Sequence, residues 1–277
     1  MLLFALLCGA IRCGATTVVV LRTGHDMVIG ADAVSGPGSS GSHAPANRSL
    51  VVVDGRIVCA GAVQANIMND SSYSFSAILA DAKAAASPGI PVSMFVQLLE
   101  GRLATKYKDA GGLLKAGKLR PEDLPPPSTI LLKYYVAGFE ANVPFVYTIE
   151  YDVDWDNARV TGPIVTPQPP RRNLSVTWTG GAERGIVELR KPNPSASQST
   201  QKTAALIAGK FAAEMPEENA ALQEDRDLAA PKLLRLACGL LDLEVSRNPK
   251  NAAYPLTVIS VPMSGMPKTV TYQQKCG

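Results

Sequence analysis

The chain has 277 residues, of which 46% are hydrophobic and 18% charged, and its 27 basic and 24 acidic side chains leave a formal charge of +3. Such a composition excludes intrinsic disorder and leaves room for one large domain or two small ones. No Lys/Arg cluster interleaved with aromatics is present, which argues against a nucleic-acid partner. The longest aliphatic runs, such as Leu50 to Val53, fall far short of the ~20 apolar residues of a membrane span.

Residues 1–15 (MLLFALLCGAIRCGA) stand apart. Leu2 to Ile11 form an apolar run, and Cys13-Gly14-Ala15 places small residues where a signal peptidase reads them. A basic leading region is missing and Arg12 comes late. The pattern favours removal of 1–15 as a signal peptide; a propeptide or an apolar first strand is the alternative. Removal leaves Cys59, Cys238 and Cys276, which match no zinc spacing and no disulfide framework. Cys59 and Cys238 then read as buried free thiols.

Taken in chain order, Thr16 to Arg22 is β-branched and aliphatic, Thr23 to Asp26 supplies turn chemistry, and Met27 to Asp32 is aliphatic again. Residues 35–47 form a Gly/Ser/Pro loop. A second hairpin runs through Leu50 to Val53, Asp54-Gly55 and Arg56 to Ala62. Ser76 to Ala86 and Pro91 to Lys106 read as helices, the second with Val92, Phe95, Leu98, Leu99 and Leu103 at helical period. Residues 109–128 read as an exposed excursion. Strands resume at Thr129 to Phe139 and Pro144 to Asp152; a polar turn with Asp154, Asp156 and Asn157 and a proline-rich connection, 163–170, come next. Ser175 to Trp178 is a strand. Thr200 to Glu214 and Pro231 to Val245 are helices, and Leu256 to Val261 is a final strand before a Pro/Gly tail. No internal repeat is found. The order predicts an α+β chain whose single domain, 16–277, stacks two antiparallel sheets between helix layers, a four-layer αββα sandwich.

The chemistry is narrowed by what is scarce. The two histidines, His25 and His43, fall in a turn and a loop, which suits neither a Ser-His-Asp nor a Cys-His device. No HExxH, paired-cysteine, P-loop or dinucleotide motif occurs, and the run Asp152, Asp154, Asp156 lacks the Gly and Glu of a calcium loop. One hydrolytic chemistry needs no histidine: an N-terminal threonine whose own α-amine is the general base. Cleavage after Ala15 would put Thr16 in that place.

The stretch TTVVVLRTGHDMVIGADA, from Thr16, resembles the opening of proteasome β-type subunits and their bacterial relatives, the threonine-type Ntn hydrolases. The resemblance implies Thr16 as nucleophile and Asp32, sixteen positions on, as its orienting carboxylate. After sixteen more positions the family carries a lysine; here that position is Arg48, with Asn47 next to it. Arginine can supply the charge but cannot shuttle a proton, so Arg48 implies either a fixed cation or altered activity. VTWTGGAERG resembles the strand and Gly-rich turn that carries a family serine, which implies Thr179 in that role beside the Gly180 and Gly181 backbone. Asp242 and Ser246 are the nearest counterparts of the family's Asp and Ser near the end of the last long helix, with the spacing off by a residue and no Gly-Gly after them. The implied activity is hydrolysis of a peptide or amide bond without cofactor or metal, in a periplasmic or secreted protein, or a cytoplasmic one if 1–15 is a propeptide. Homo-oligomers occur in the family. Two alternatives stay open: a non-catalytic assembly or binding protein of the same fold, and Cys13 as the nucleophile.

Overall fold

The computed structural model describes residues 17–32, 50–64, 71–120, 129–170, 173–179, 198–247 and 252–276. The chain begins with a hairpin, β1 (Val18–Arg22) and β2 (Asp26–Ala31), then a second, β3 (Leu50–Asp54) and β4 (Ile57–Gln64). A 3-10 turn (Ser71–Tyr73) leads into α1 (Phe75–Ala85), α2 (Val92–Lys106) and the short α3 (Ala110–Lys115). The long strands β5 (Ile130–Glu140), β6 (Val143–Asp154) and β7 (Arg159–Gln168) come next, then β8 (Ser175–Thr179). Helices α4 (Gln198–Glu214), α5 (Pro216–Glu224) and α6 (Ala230–Arg247) precede β9 (Leu256–Pro262) and β10 (Lys268–Tyr272).

The strands form two five-stranded sheets of antiparallel pairs, one in the order β10-β9-β2-β1-β8 and the other β3-β4-β5-β6-β7. Strand alternation sorts the side chains into three apolar clusters. Val18, Val20, Met27 and Ile29 of the first sheet meet Val58, Ala60, Tyr135 and Ala137 of the second. On the other side of the second sheet, Cys59, Tyr134 and Val136 pack with Phe75, Ile78, Phe95 and Leu99 of α1 and α2. On the other side of the first sheet, Val19, Leu21, Val28 and Val258 pack with Leu233, Leu236, Leu240 and Leu241 of α6. The layers therefore run helices, sheet, sheet, helices, as the sequence order predicts.

Local chemistry sets the boundaries. The Thr23 hydroxyl accepts from the backbone of His25 and Asp26, closing the first hairpin. Gly55 N–H donates to Asp54 Oδ1 at 2.7 Å and closes the second. Ser74 caps α1 by accepting from Ala77 N–H. The start of α2 takes its negative charge from β5, where Glu140 accepts from both Ser93 N–H and Ser93 Oγ. Arg22, 2% exposed at the end of β1, donates from Nη1 to Gln168 O and from Nη2 to Pro169 O, tying the two sheets together. Tyr135 OH donates to Trp178 O across the same gap.

The structure departs from the sequence reading at five places. The proline-rich run 163–170 is mostly strand: β7 takes its prolines because it is an edge strand, and Pro163 falls where the β6–β7 register slips. Within 109–128, Ala110 to Lys115 is helical and Ala110 and Leu119 are buried. Pro216 to Glu224 is an additional helix, and the Pro/Gly tail contributes β10. Cys238 is not a free thiol but bonds to Cys276, pinning the end of the chain to α6. Cys59 is free and buried, and burial pushes its thiol up, away from reactivity.

Two stability tests follow from these contacts. At Gly138 an alanine Cβ would come within 2.5 Å of the Arg56 backbone oxygen, and a backbone atom cannot rotate away. Gly138→Ala is expected to cost about 1–3 kcal/mol in urea unfolding. The disulfide spans 38 residues. The loop-entropy account gives such a closure about 4 kcal/mol, so Cys276→Ser is expected to lower the melting temperature markedly, and added reductant should lower the wild-type value to match.

Candidate active site

The first hairpin opens where β1 begins. There Asp32 N–H donates to Thr17 O at 3.2 Å, and Thr17 N–H donates to Asp32 Oδ1 at 2.7 Å. The carboxylate thus holds the backbone one residue after Thr16. Asp32 is 0% exposed, and its Oδ2 makes no hydrogen bond among the described residues. Burial pushes this carboxyl up to about 8, although N–H groups of Thr17, Ala253 and Asp32 itself favour the charge. Glu244 of α6 adds to the rise.

β8 reaches the same end of the sheet, because Val18 lies opposite both Ala31 of β2 and Thr179 of β8. The structure therefore brings together Thr17, Asp32 and the Thr179 backbone. Thr16, Arg48, Gly180 and Gly181 lie outside the described residues, as does the Thr179 side chain. Cys13 lies outside them too.

Asp242 and Ser246 are placed elsewhere. They line a pocket of about 220 Å³ between α4, α6 and the C-terminal tail, with Phe211, Glu214, Gly239 and Lys275. Tyr254 OH donates to Asp242 Oδ1. Burial raises the Asp242 carboxyl, Lys275 opposes that, and Glu214 adds to it. The α6 residue that acts on Asp32 is Glu244, 3% exposed, which the sequence reading missed. A signal for it exists: Leu233, Ala237, Leu240 and Leu241 define a buried stripe, and Glu244 continues it one turn on.

Asp154 accepts from Asn157 N–H at 3.1 Å and from Asn157 Nδ2 at 2.7 Å, so the acidic run 152–156 ends in a side-chain-closed turn. Among the described residues no group of three or more His, Cys, Asp or Glu side chains is placed to hold a metal, and no helix is long and apolar enough to cross a membrane. Comparison with known proteins finds no family model and no curated relative that matches the chain.

Proposed function

We propose that the chain is a proteasome-like Ntn hydrolase of the threonine type, which cuts peptide or amide bonds after cleavage before Thr16. The observation that carries this reading is the fully buried Asp32 carboxylate bonded to Thr17 N–H at the mouth of the first hairpin. The two antiparallel sheets between helix layers support it, since the Ntn fold has that architecture.

In this mechanism the α-amine freed by cleavage takes the Thr16 Oγ proton while Oγ bonds to the amide carbonyl carbon. The same proton passes to the leaving nitrogen as the C–N bond breaks, and water then hydrolyses the ester. A free α-amine has a pKa near ~8, and an unneutralised carboxylate beside it would keep it protonated. Arg48 is the cation that would offset Asp32; as a fixed charge it serves that purpose without giving up a proton. Thr179, with the Gly180 and Gly181 backbone, would support the hydroxyl and the oxyanion. Asp242 and Ser246, which face the pocket beside α4, have no part in this reading.

The disulfide favours an exported, periplasmic or secreted protein, because cytosolic thiols are kept reduced. Sequencing the N-terminus of the purified protein, with intact mass, tests the proposal directly. Thr16 as the first residue is expected; a mature chain starting elsewhere overturns the mechanism, and one starting at Cys13 replaces the nucleophile. Arg48 in place of a lysine favours a second reading, a non-catalytic protein of this fold that assembles or binds. A β-lactone or epoxyketone probe separates the two: labelling at Thr16 supports the enzyme, and a mature Thr16 that stays unlabelled favours the second reading.

A further inference from the structure

The pocket between α4, α6 and the C-terminal tail has no part in the hydrolase reading, and its walls are firmly held. Its floor is apolar: Phe211 and Met215, 6% and 7% exposed, belong to the cluster beneath α6. Both seat against α6 at Gly239, where a Cβ would collide with Met215 Sδ and come within 3.4 Å of Phe211 Cε2. Leu243, one turn further along α6, is only partly buried against the same cluster and also lines the pocket. One wall is the tail. The Cys238–Cys276 bond ties it to α6, and Lys275 Nζ donates to Glu214 Oε1 and Oε2 of α4 at 3.1 and 3.2 Å. The pocket is therefore formed in advance of any ligand, as small-molecule sites usually are.

The charged lining is unequal, with Lys210, Arg235, Arg247 and Lys275 against Glu214 and Asp242. Both acids are engaged: Glu214 by Lys275, and Asp242 by the Tyr254 hydroxyl, which donates to it. Arg235 turns toward the end of α4, where its Nη2 donates to Glu214 O at 2.7 Å. Lys210 is exposed and makes no ion pair among the described residues. Four residues before it, and so on the same side of α4, Leu206 is 75% exposed. An apolar floor beside a cation suits a ligand with an apolar body and an anionic head, since the body removes floor from water and the head makes a charge-assisted hydrogen bond. The two carboxylates disfavour a multiply charged head.

We propose that this pocket binds a small amphipathic carboxylate, its apolar body over Phe211, Met215 and Leu243 and its single negative charge at Lys210. The volume, about 220 Å³, is below the roughly 300–1,000 Å³ of drug-sized sites, which limits the body to one ring or a short acyl chain. The proposal does not rest on the hydrolase reading. A wild-type protein without amide hydrolysis would count against that reading and leave this test unchanged.

Isothermal titration of the full-length purified protein with octanoate is expected to show saturable binding at one site. Octan-1-ol and octylammonium have the same body and are expected to bind at least about tenfold more weakly, the scale of one charge-assisted hydrogen bond. Lys210→Gln removes the charge at an exposed position; it is expected to weaken octanoate about tenfold while leaving octan-1-ol affinity and melting temperature unchanged. Ser246→Trp, built on the exposed rim, is expected to fill the pocket and abolish binding of octanoate. No saturable octanoate binding by the wild type, equal affinity for the three ligands, or unchanged octanoate affinity in Lys210→Gln overturns the proposal. A folded Ser246→Trp protein that still binds octanoate overturns it as well; if that variant does not fold, the Lys210→Gln comparison decides.

Discussion

Thr16→Ala is expected to reduce amide hydrolysis by roughly 10,000-fold or more, the scale on which removal of a covalent nucleophile acts in hydrolases. The fold should survive it. The packing of β1 rests on Val18 to Leu21, all at 1% exposure or less. Melting temperature measured beside activity therefore separates loss of chemistry from loss of structure. A Thr16→Ala protein that folds and keeps full activity ends the threonine mechanism. Thr16→Ser should retain part of the activity, because the hydroxyl and the α-amine are both kept.

Asp32→Asn carries the second large effect, and it acts in opposite directions on stability and activity. In the unfolded chain this carboxyl titrates near its ordinary 3.8, whereas the folded protein holds the proton up to about 8. Between those values the folded state binds the proton and the unfolded state does not, so stability falls as pH rises. The slope is at most about 1.4 kcal/mol per pH unit, and the loss is complete above about pH 8. Below about pH 4 both states are protonated and the pH dependence vanishes. Asp32→Asn removes the titrating group, so its melting temperature should change less between about pH 5 and 9 and should exceed the wild-type value at the alkaline end. Above about pH 8, where Asp32 is charged, hydrolysis should fall roughly 100-fold or more, since the amide cannot supply the charge that orients the nucleophile. Parallel melting profiles for wild type and variant would show that Asp32 does not carry this proton.

Much of the fold was legible because its signals are local. Asp54-Gly55 and Thr23 to Asp26 mark their turns with side chains that bond their own backbone. The α2 stripe announces its core face, and Val92, Phe95, Leu99 and Leu103 are buried where the period puts them, although Leu98 is only partly covered. What stayed hidden depends on partners distant in sequence. Pro163 and Pro167 speak against a strand until the chain is known to lie at a sheet edge. β10, with the sequence KTVTY, alternates its threonines with Val270 and Tyr272, but it is short and mostly exposed, so the signal is weak. Cys238 and Cys276 are joined by the return of the tail to α6, which no spacing rule anticipates.

The site shows the same division. The interval from Thr16 to Asp32 is a hairpin length, and the hairpin brings Thr17 and Asp32 together as that length requires. Helix phase separates the acids of α6. Successive residues are turned by roughly 100°, so Asp242 and Glu244 lie on nearly opposite sides, and only Glu244 shares the side of Leu241. The sequence reading took the residues closest to a motif; Glu244 is the acid in phase with the buried stripe.

The order β10-β9-β2-β1-β8 also sets a schedule. β1 is flanked by β8, and β2 by β9, whose Thr257 lies opposite Ala31. The strands that flank the first hairpin are thus encoded far downstream, β8 at Ser175–Thr179 and β9 at Leu256–Pro262. At a synthesis rate of ~5–20 residues per second, β1 and β2 wait on the order of ten seconds or longer for their neighbours. On the reading proposed above, a nucleophile at the mouth of that hairpin would lack its flanking strands on a nascent chain, so the topology would withhold reactivity until β8 and β9 have been made.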